Sequence, residues 1–276
     1  MGISNQFQEK VNHMLGKIDP EILSYNEEEF WMVQPAYEYV EFFATRKELL
    51  NTAIALPLAR GLHDGDYRKS TVVKGDRTYR MPYLIHPLMV CKMLIELRIP
   101  LSDNELDILL AAALCHDMIE DIPFLEHGKE LVIQFHLDAR VYDTVKAVSK
   151  RRDFTEEEER AHFRGIAENK LAALIKLSDR GNNVEDLYNM SAWKIHEYAG
   201  ETKKYLFPIC DYGKEHYPEI AKAFIVLEDK MRCLTEAAEL LVDRYEEEEE
   251  SLQKQIEALR AENASLREEW KSLWKI

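Results

Sequence analysis

The hexapeptide His116-Asp117-Met118-Ile119-Glu120-Asp121 sets an imidazole and three carboxylates within six positions. It follows the apolar run Leu109 to Leu114, so a helix is predicted to carry it. At about 100° per residue, positions 116, 117, 120 and 121 span roughly 140° of arc and address one cavity. Pro123 disfavours helical geometry at the residue before it, which assigns Glu120 and Asp121 to the last helical turn. Carboxylates there meet the negative end of the helix dipole, at a cost of up to about 1 kcal/mol unless a cation compensates. A divalent ion would compensate, and it would activate water for hydrolysis. The hexapeptide alone fits either such a site or a solvated helix end with an incidental His-Asp pair.

Two further words supply more ligands. Pro82-Tyr83-Leu84-Ile85-His86-Pro87 sets a histidine at a helix start, and Leu174-Ile175-Lys176-Leu177-Ser178-Asp179-Arg180 sets an aspartate at the end of an apolar run. Singly, His86 reads as a cap or core residue and Asp179 as half of a surface ion pair. Together, three helices offer His, His-Asp and Asp. Imidazole and carboxylate without thiolate suit Mn, Fe, Co or Zn with open water positions and disfavour a structural zinc.

The elements that must hold these residues are helical. Ten glycines and nine prolines in 276 residues are few, which argues against a turn-rich β architecture. Residues 1–45 are expected to form a helical extension, with patterns at Phe7 to Leu15 and Glu27 to Phe43 parted by a turn at Asp19-Pro20. Residues 46–217 form the main domain, with amphipathic stretches at Leu49 to Leu62, Pro87 to Leu97, Asn104 to Ile119, Val141 to Val148 and Ala161 to Leu177. Ser70 to Arg80 is polar and β-tinged, a long loop or a small hairpin. Residues 218–276 contain no Gly and no Pro beyond Pro218 and are predicted to form one long helix or a broken pair. A heptad runs through their second half, with Leu252, Leu259, Leu266 and Leu273 at d and Ile256, Asn263 and Trp270 at a. Upstream the same register sets Met231, Ala238 and Tyr245 at d and Val242 and Glu249 at a. The pattern predicts either a homodimer through a short parallel coiled coil or a helix folded back on its own domain.

A formal net charge of −15 argues against nucleic-acid and anionic-membrane partners, which are bound mainly through Lys and Arg. There is no apolar run of transmembrane length, and Met1 to Lys10 lacks the basic and apolar regions of a secretory signal, so a cytoplasmic protein is expected. Cys91, Cys115, Cys210 and Cys233 form no C-x-x-C pair and read as reduced, mostly buried thiols.

In order, the chain reads His63-x-Gly65-x-x-Arg68-Lys69, Pro82-Tyr83-Leu84-Ile85-His86-Pro87, His116-Asp117-x-x-Glu120-Asp121, Val148-Ser149-Lys150, Lys176-Leu177-Ser178-Asp179-Arg180-x-x-Asn183 and Glu201-Thr202 leading to Pro208. This succession resembles the HD-domain phosphohydrolases, and within them the hydrolase domain of RelA/SpoT-type enzymes and small alarmone hydrolases, over about Leu49 to Ile209. The resemblance implies an all-α HD-domain bundle that removes the 3′-pyrophosphate of guanosine tetraphosphate or pentaphosphate, the alarmone (p)ppGpp of the stringent response. It makes His86, His116, Asp117 and Asp179 ligands of a divalent metal, usually manganese. It makes Glu120 and Asp121 the pair that orients and deprotonates water, and Arg68, Lys69, Lys150, Asn183 and Thr202 the lining of the nucleotide pocket. His63-Asp64 precedes the Arg-Lys pair in that register and is not the metal dyad.

Two departures bear on the substrate. The segment from Lys69 to Pro82 is longer than the family's link, and Asp186 stands where the family commonly has threonine. Another nucleotide, or a nucleotide-sensing protein without turnover, are the alternatives. No synthetase or regulatory domain is read after Pro218, so a hydrolase-only protein is expected.

Overall fold

The computed structural model describes residues 27–63, 65–74, 76–119, 136–151, 153–184 and 190–273. Phe7 to Leu15, the Asp19-Pro20 turn, Glu120, Asp121 and Asp186 lie outside them. The described architecture is an all-α, HD-like bundle with one small hairpin. Its elements are α1 (Glu27–Lys47), α2 (Leu50–Leu62), β1 (Tyr67–Lys74), β2 (Arg77–Pro82), α3 (Ile85–Glu96), α4 (Asp103–Cys115), α5 (Ala139–Val148), α6 (Glu156–Ala167), α7 (Lys170–Asn183), α8 (Ala192–Glu201), α9 (Phe207–His216) and α10 (Ala221–Leu273).

Helix α4 is the centre. Ser102 opens it with a reciprocal cap: its hydroxyl accepts from the Glu105 amide while Glu105 accepts from the Ser102 amide. From Leu106 to Cys115 every residue is buried, and a helix apolar all round must be sheathed by others. Helices α2, α3, α5 and α7 supply that sheath. One polar residue in this run, Asp107, works on a neighbour. Leu49 gives α2 no side-chain cap, and the Asp107 carboxylate takes over, accepting from the Asn51 and Thr52 amides at 3.0 and 2.8 Å and from the Thr52 hydroxyl at 2.8 Å. Asn51 in turn accepts from the Asp138 amide at 2.8 Å, tying the start of α5 to the same node.

Helix α1 lays Val33, Tyr37, Val40 and Ala44 into the common core, against α2 and α3. The segment Ser70 to Arg80 lies in an antiparallel hairpin with Val73 opposite Thr78. Gly65, at φ 79°, makes the left-handed turn that leads into it.

Two boundaries differ from the sequence expectation. The apolar stretch Ala161 to Leu177 is two helices, because Asn169 leaves helical geometry and caps α7 by accepting from the Ala172 amide. Helix α4 stops at Cys115, and 116–119 are a turn. The His116 ring bonds the Ala113 carbonyl at 2.7 Å, the acceptor that a continuing helix would give to the Asp117 amide.

Between α8 and α9 the chain widens into a π segment, Thr202–Leu206. Pro208 follows, and it lacks the N–H that an α-helix would direct at the Lys204 carbonyl. Helix α10 is continuous. Its first half packs on α7, α8 and α9, burying Phe224, Leu227 and Met231 in the main core and Ala238 and Val242 against Val184 and Ile195. Met231, Ala238 and Val242 thus meet the body of their own chain, although the heptad register carries them on the same seam as Leu252. From 243 to 270 every residue is exposed. Cys91, Cys115 and Cys210 are buried free thiols and Cys233 is an exposed one. Among the described residues no helix is long and apolar enough to cross a membrane.

Candidate metal centre

Three helix ends meet at one buried point. His86 lies in the first turn of α3, His116 caps α4 with Asp117 beside it, and Asp179 stands in the last turns of α7. His86 Nε2 is 3.2 Å from His116 Nε2, 3.4 Å from Asp117 Oδ2 and 3.2 Å from Asp179 Oδ1. His116 Nε2 is 3.3 Å from Asp117 Oδ1 and 3.8 Å from Asp179 Oδ1. An ion about 2.0–2.2 Å from each donor would hold neighbouring donors about 3.0–3.5 Å apart. Four of the five separations match that spacing and the fifth, His116 to Asp179, is 3.8 Å; the donor set is the nitrogen and oxygen mixture that suits a catalytic divalent ion.

The ring orientations fit the same purpose. His86 Nδ1 donates to the Asn182 side-chain oxygen at 2.7 Å, and His116 Nδ1 donates to the Ala113 carbonyl at 2.7 Å. Both Nε2 atoms are thereby turned into the centre. Tyr83 donates its hydroxyl to Asp117 Oδ2 at 2.6 Å. The Asn183 amide donates to Asp179 Oδ1 at 2.6 Å, and Lys176 reaches Asp179 Oδ2 at 3.3 Å. Arg68 in β1 donates to Asn183 Oδ1 at 3.2 Å, which joins the hairpin to the metal ligands through one amide.

The electrostatics are those of positive and negative groups forced together out of water. Burial works against the His86 imidazolium, yet hydrogen bonds to Asp117 and Asp179 outweigh it and raise its pKa to about 9. His116 is raised as well, burial again opposing and Asp117 leading the gain. Burial also opposes the charged form of both aspartates. Asp117 is nonetheless held below the carboxylate range by His116 and His86, and Asp179 by Lys176 and the same two imidazoles.

Arg68 and Asn183 are brought together with His86, His116, Asp117 and Asp179. Of Lys69 only the backbone, in β1, is described. Lys150 lies in a neighbouring group, paired with Glu159 and, at 3.3 Å, with Glu201. Glu201 also binds the buried Arg180, whose guanidinium sits 4.5 Å over the Tyr198 ring. Thr202 is buried and donates its hydroxyl to the Tyr198 carbonyl at 2.7 Å. His63 rests 4.9 Å from the Tyr83 ring, ring to ring, and Tyr83 is in turn 5.9 Å from the His86 ring.

Sequence reasoning gave Tyr83, Lys176 and Asn182 no role. The signal for two of them was helical spacing: 176, 179 and 182 fall on one face of α7. Tyr83 stood inside the quoted Pro82 to Pro87 word.

No family model matches the chain. It is 31% identical over 166 residues, 58% of its length, to the guanosine-3′,5′-bis(diphosphate) 3′-pyrophosphohydrolase of Haemophilus influenzae. It is 30% identical over 160 residues, 55% of its length, to the protein of the same name from Vibrio cholerae. A GTP pyrophosphokinase of Myxococcus xanthus is 32% identical over 159 residues, 54% of the chain. These matches cover 22%, 20% and 19% of the three relatives, so the chain corresponds to about a fifth of each. In fold and site the chain resembles HD-type hydrolases, and in sequence it is similar to RelA/SpoT-type enzymes.

Proposed function

We propose that this chain is a metal-dependent phosphohydrolase that removes pyrophosphate from the 3′ position of guanosine tetraphosphate or pentaphosphate, leaving GDP or GTP. The convergence of His86, His116 and Asp179 donors on one buried point, with the Asp117 carboxylate 3.4 Å from His86 and 3.3 Å from His116, carries this reading. The names of the Haemophilus and Vibrio relatives support the substrate. A divalent ion, Mn²⁺ on this reading, would lower the pKa of a water molecule and offset charge developing on the attacked phosphorus. Glu120 and Asp121 orient that water and accept its proton. Arg68 and Lys69 hold the polyphosphate, because an acidic protein needs local cations for such a ligand. Asn183 lines the pocket while fixing Asp179, and Lys150 and Thr202 belong to the same lining. A cytoplasmic setting is part of the proposal.

Purified protein with full Mn²⁺ occupancy is expected to release pyrophosphate from the alarmone, and Asp117→Ala or Glu120→Gln to slow it by ~10²–10⁴-fold. An intact alarmone after incubation with metal-loaded protein would overturn the proposal. The β1–β2 hairpin favours one second reading, the same chemistry on another nucleotide, because it sets Arg68 in a longer segment than the family's link. A panel of nucleotide substrates separates the two. Tight nucleotide binding at full metal occupancy without turnover would point instead to a sensor.

A further inference from the structure

The outer half of α10 displays an apolar seam that stays exposed among the described residues. Leu252, Leu259 and Leu266 are 58%, 64% and 56% exposed, and Ile256 and Trp270 lie beside them at 43% and 63%. An ion pair to the body is made by Glu246 with His196 at 3.8 Å. Beyond it the helix continues to Leu273 with polar residues on every face but this one. In proteins most helical stability comes from packing an amphipathic face, so an exposed apolar seam of this length calls for a partner.

We propose that the partner is the same segment of a second copy, in parallel and in register, making the protein a homodimer through residues 252–273. Two independent features select the second copy and its direction. The first is Asn263, a polar residue at an a position. In a parallel pair a meets a, so the two Asn263 amides can bond each other; in an antiparallel pair a meets d, and each amide would face leucine. The second is charge. The e positions are Gln253, Arg260 and Arg267, and the g positions are Gln255, Glu262 and Glu269. Parallel packing sets g against e of the following heptad on the other helix, so Glu262 faces Arg267 and Gln255 faces Arg260, each twice by symmetry. Antiparallel packing sets g against g and e against e, glutamate on glutamate and arginine on arginine. The seam is therefore complementary to itself in one direction only. The run Glu246 to Glu250, with Glu249 at a, repels its counterpart and marks where the two helices part toward their separate bodies.

The inference is independent of the proposed hydrolysis. Its test is the mass of the full-length chain in solution by sedimentation equilibrium, with Leu259→Lys/Leu266→Lys as the disrupting variant. Both side chains are exposed and lysine keeps the helix propensity, so circular dichroism should show an unchanged body. Direction is read from Asn263→Cys in a Cys233→Ser background, which leaves only buried native thiols. A dimer that the double lysine variant abolishes, and that oxidation crosslinks at position 263, is the expected result. A monomer at tens of micromolar overturns the proposal, as does a dimer that survives the lysines. A dimer without the crosslink overturns the parallel arrangement.

Discussion

At the residue scale, the site depends on side chains that hold the ligands as much as on the ligands. Asn182 fixes the His86 ring and Tyr83 fixes Asp117. Asn182→Ala and Tyr83→Phe are each expected to weaken divalent metal binding ~10–100-fold, measured by competition with a fluorescent chelator, with little change in melting temperature. Protons compete for the same atoms. His86 keeps its proton to about pH 9 in chelator-treated protein, whereas a ligand histidine must be neutral. Metal binding at pH 7 should thus expel protons, and apparent affinity should rise with pH until about 9; titration calorimetry in buffers of different ionisation enthalpy reads both. A pH-independent affinity with no proton release would count against this account. That His86, His116, Asp117 and Asp179 lie close together was legible in the sequence, because metal chemistry restricts residue type and the helices fix spacing. Asn182 and Tyr83 were not, since amides and phenols serve many purposes and only the fold shows which atom they face.

Elements are where the sequence was read least well, and the causes are local. Apolar periodicity runs unbroken through Glu168 and Asn169, yet a single side-chain cap splits the stretch into α6 and α7. Likewise the end of α4 is set by the His116 ring taking a backbone carbonyl, a competition that hydrophobic pattern does not register. The start of α2 is held from outside, by Asp107 on α4. Removing that carboxylate leaves the Asn51 and Thr52 backbone amides and the Asn51 side-chain amide without this acceptor, while the Thr52 hydroxyl keeps the Asp107 carbonyl at 3.2 Å. Asp107→Ala should therefore cost about 3 kcal/mol, in the range for a buried charge-assisted cap, as seen in urea denaturation. A loss below about 0.5 kcal/mol would mean that water replaces the carboxylate there.

For the whole molecule, α10 divides into a part that belongs to the body and a part that does not. The register of leucines predicted a seam, but a stripe of apolar residues does not say what covers it: Phe224, Leu227 and Met231 are covered by the chain's own helices, whereas Leu252, Leu259 and Leu266 are exposed among the described residues. Because residues 247–270 are all exposed among the described residues, the outer helix should melt separately. Full-length protein monitored by helical ellipticity is expected to show an early transition that rises with protein concentration, followed by a concentration-independent one. A chain ending after Glu246 should keep only the second. Coincident transitions would show the two halves to be one cooperative unit.

The unbroken course of α10 also makes angular phase a heritable property of this protein. Each residue inserted or deleted between Val242 and Leu252 turns the outer seam by about 100° relative to the body and moves it about 1.5 Å along the axis. A change of seven residues nearly restores the phase, to within about 20°, whereas a change of two points the seam almost opposite. Length variation in this stretch is thus confined to steps that return the phase, such as about seven or eleven residues, if the two bodies are to keep their mutual facing, although every residue from 243 to 251 is exposed.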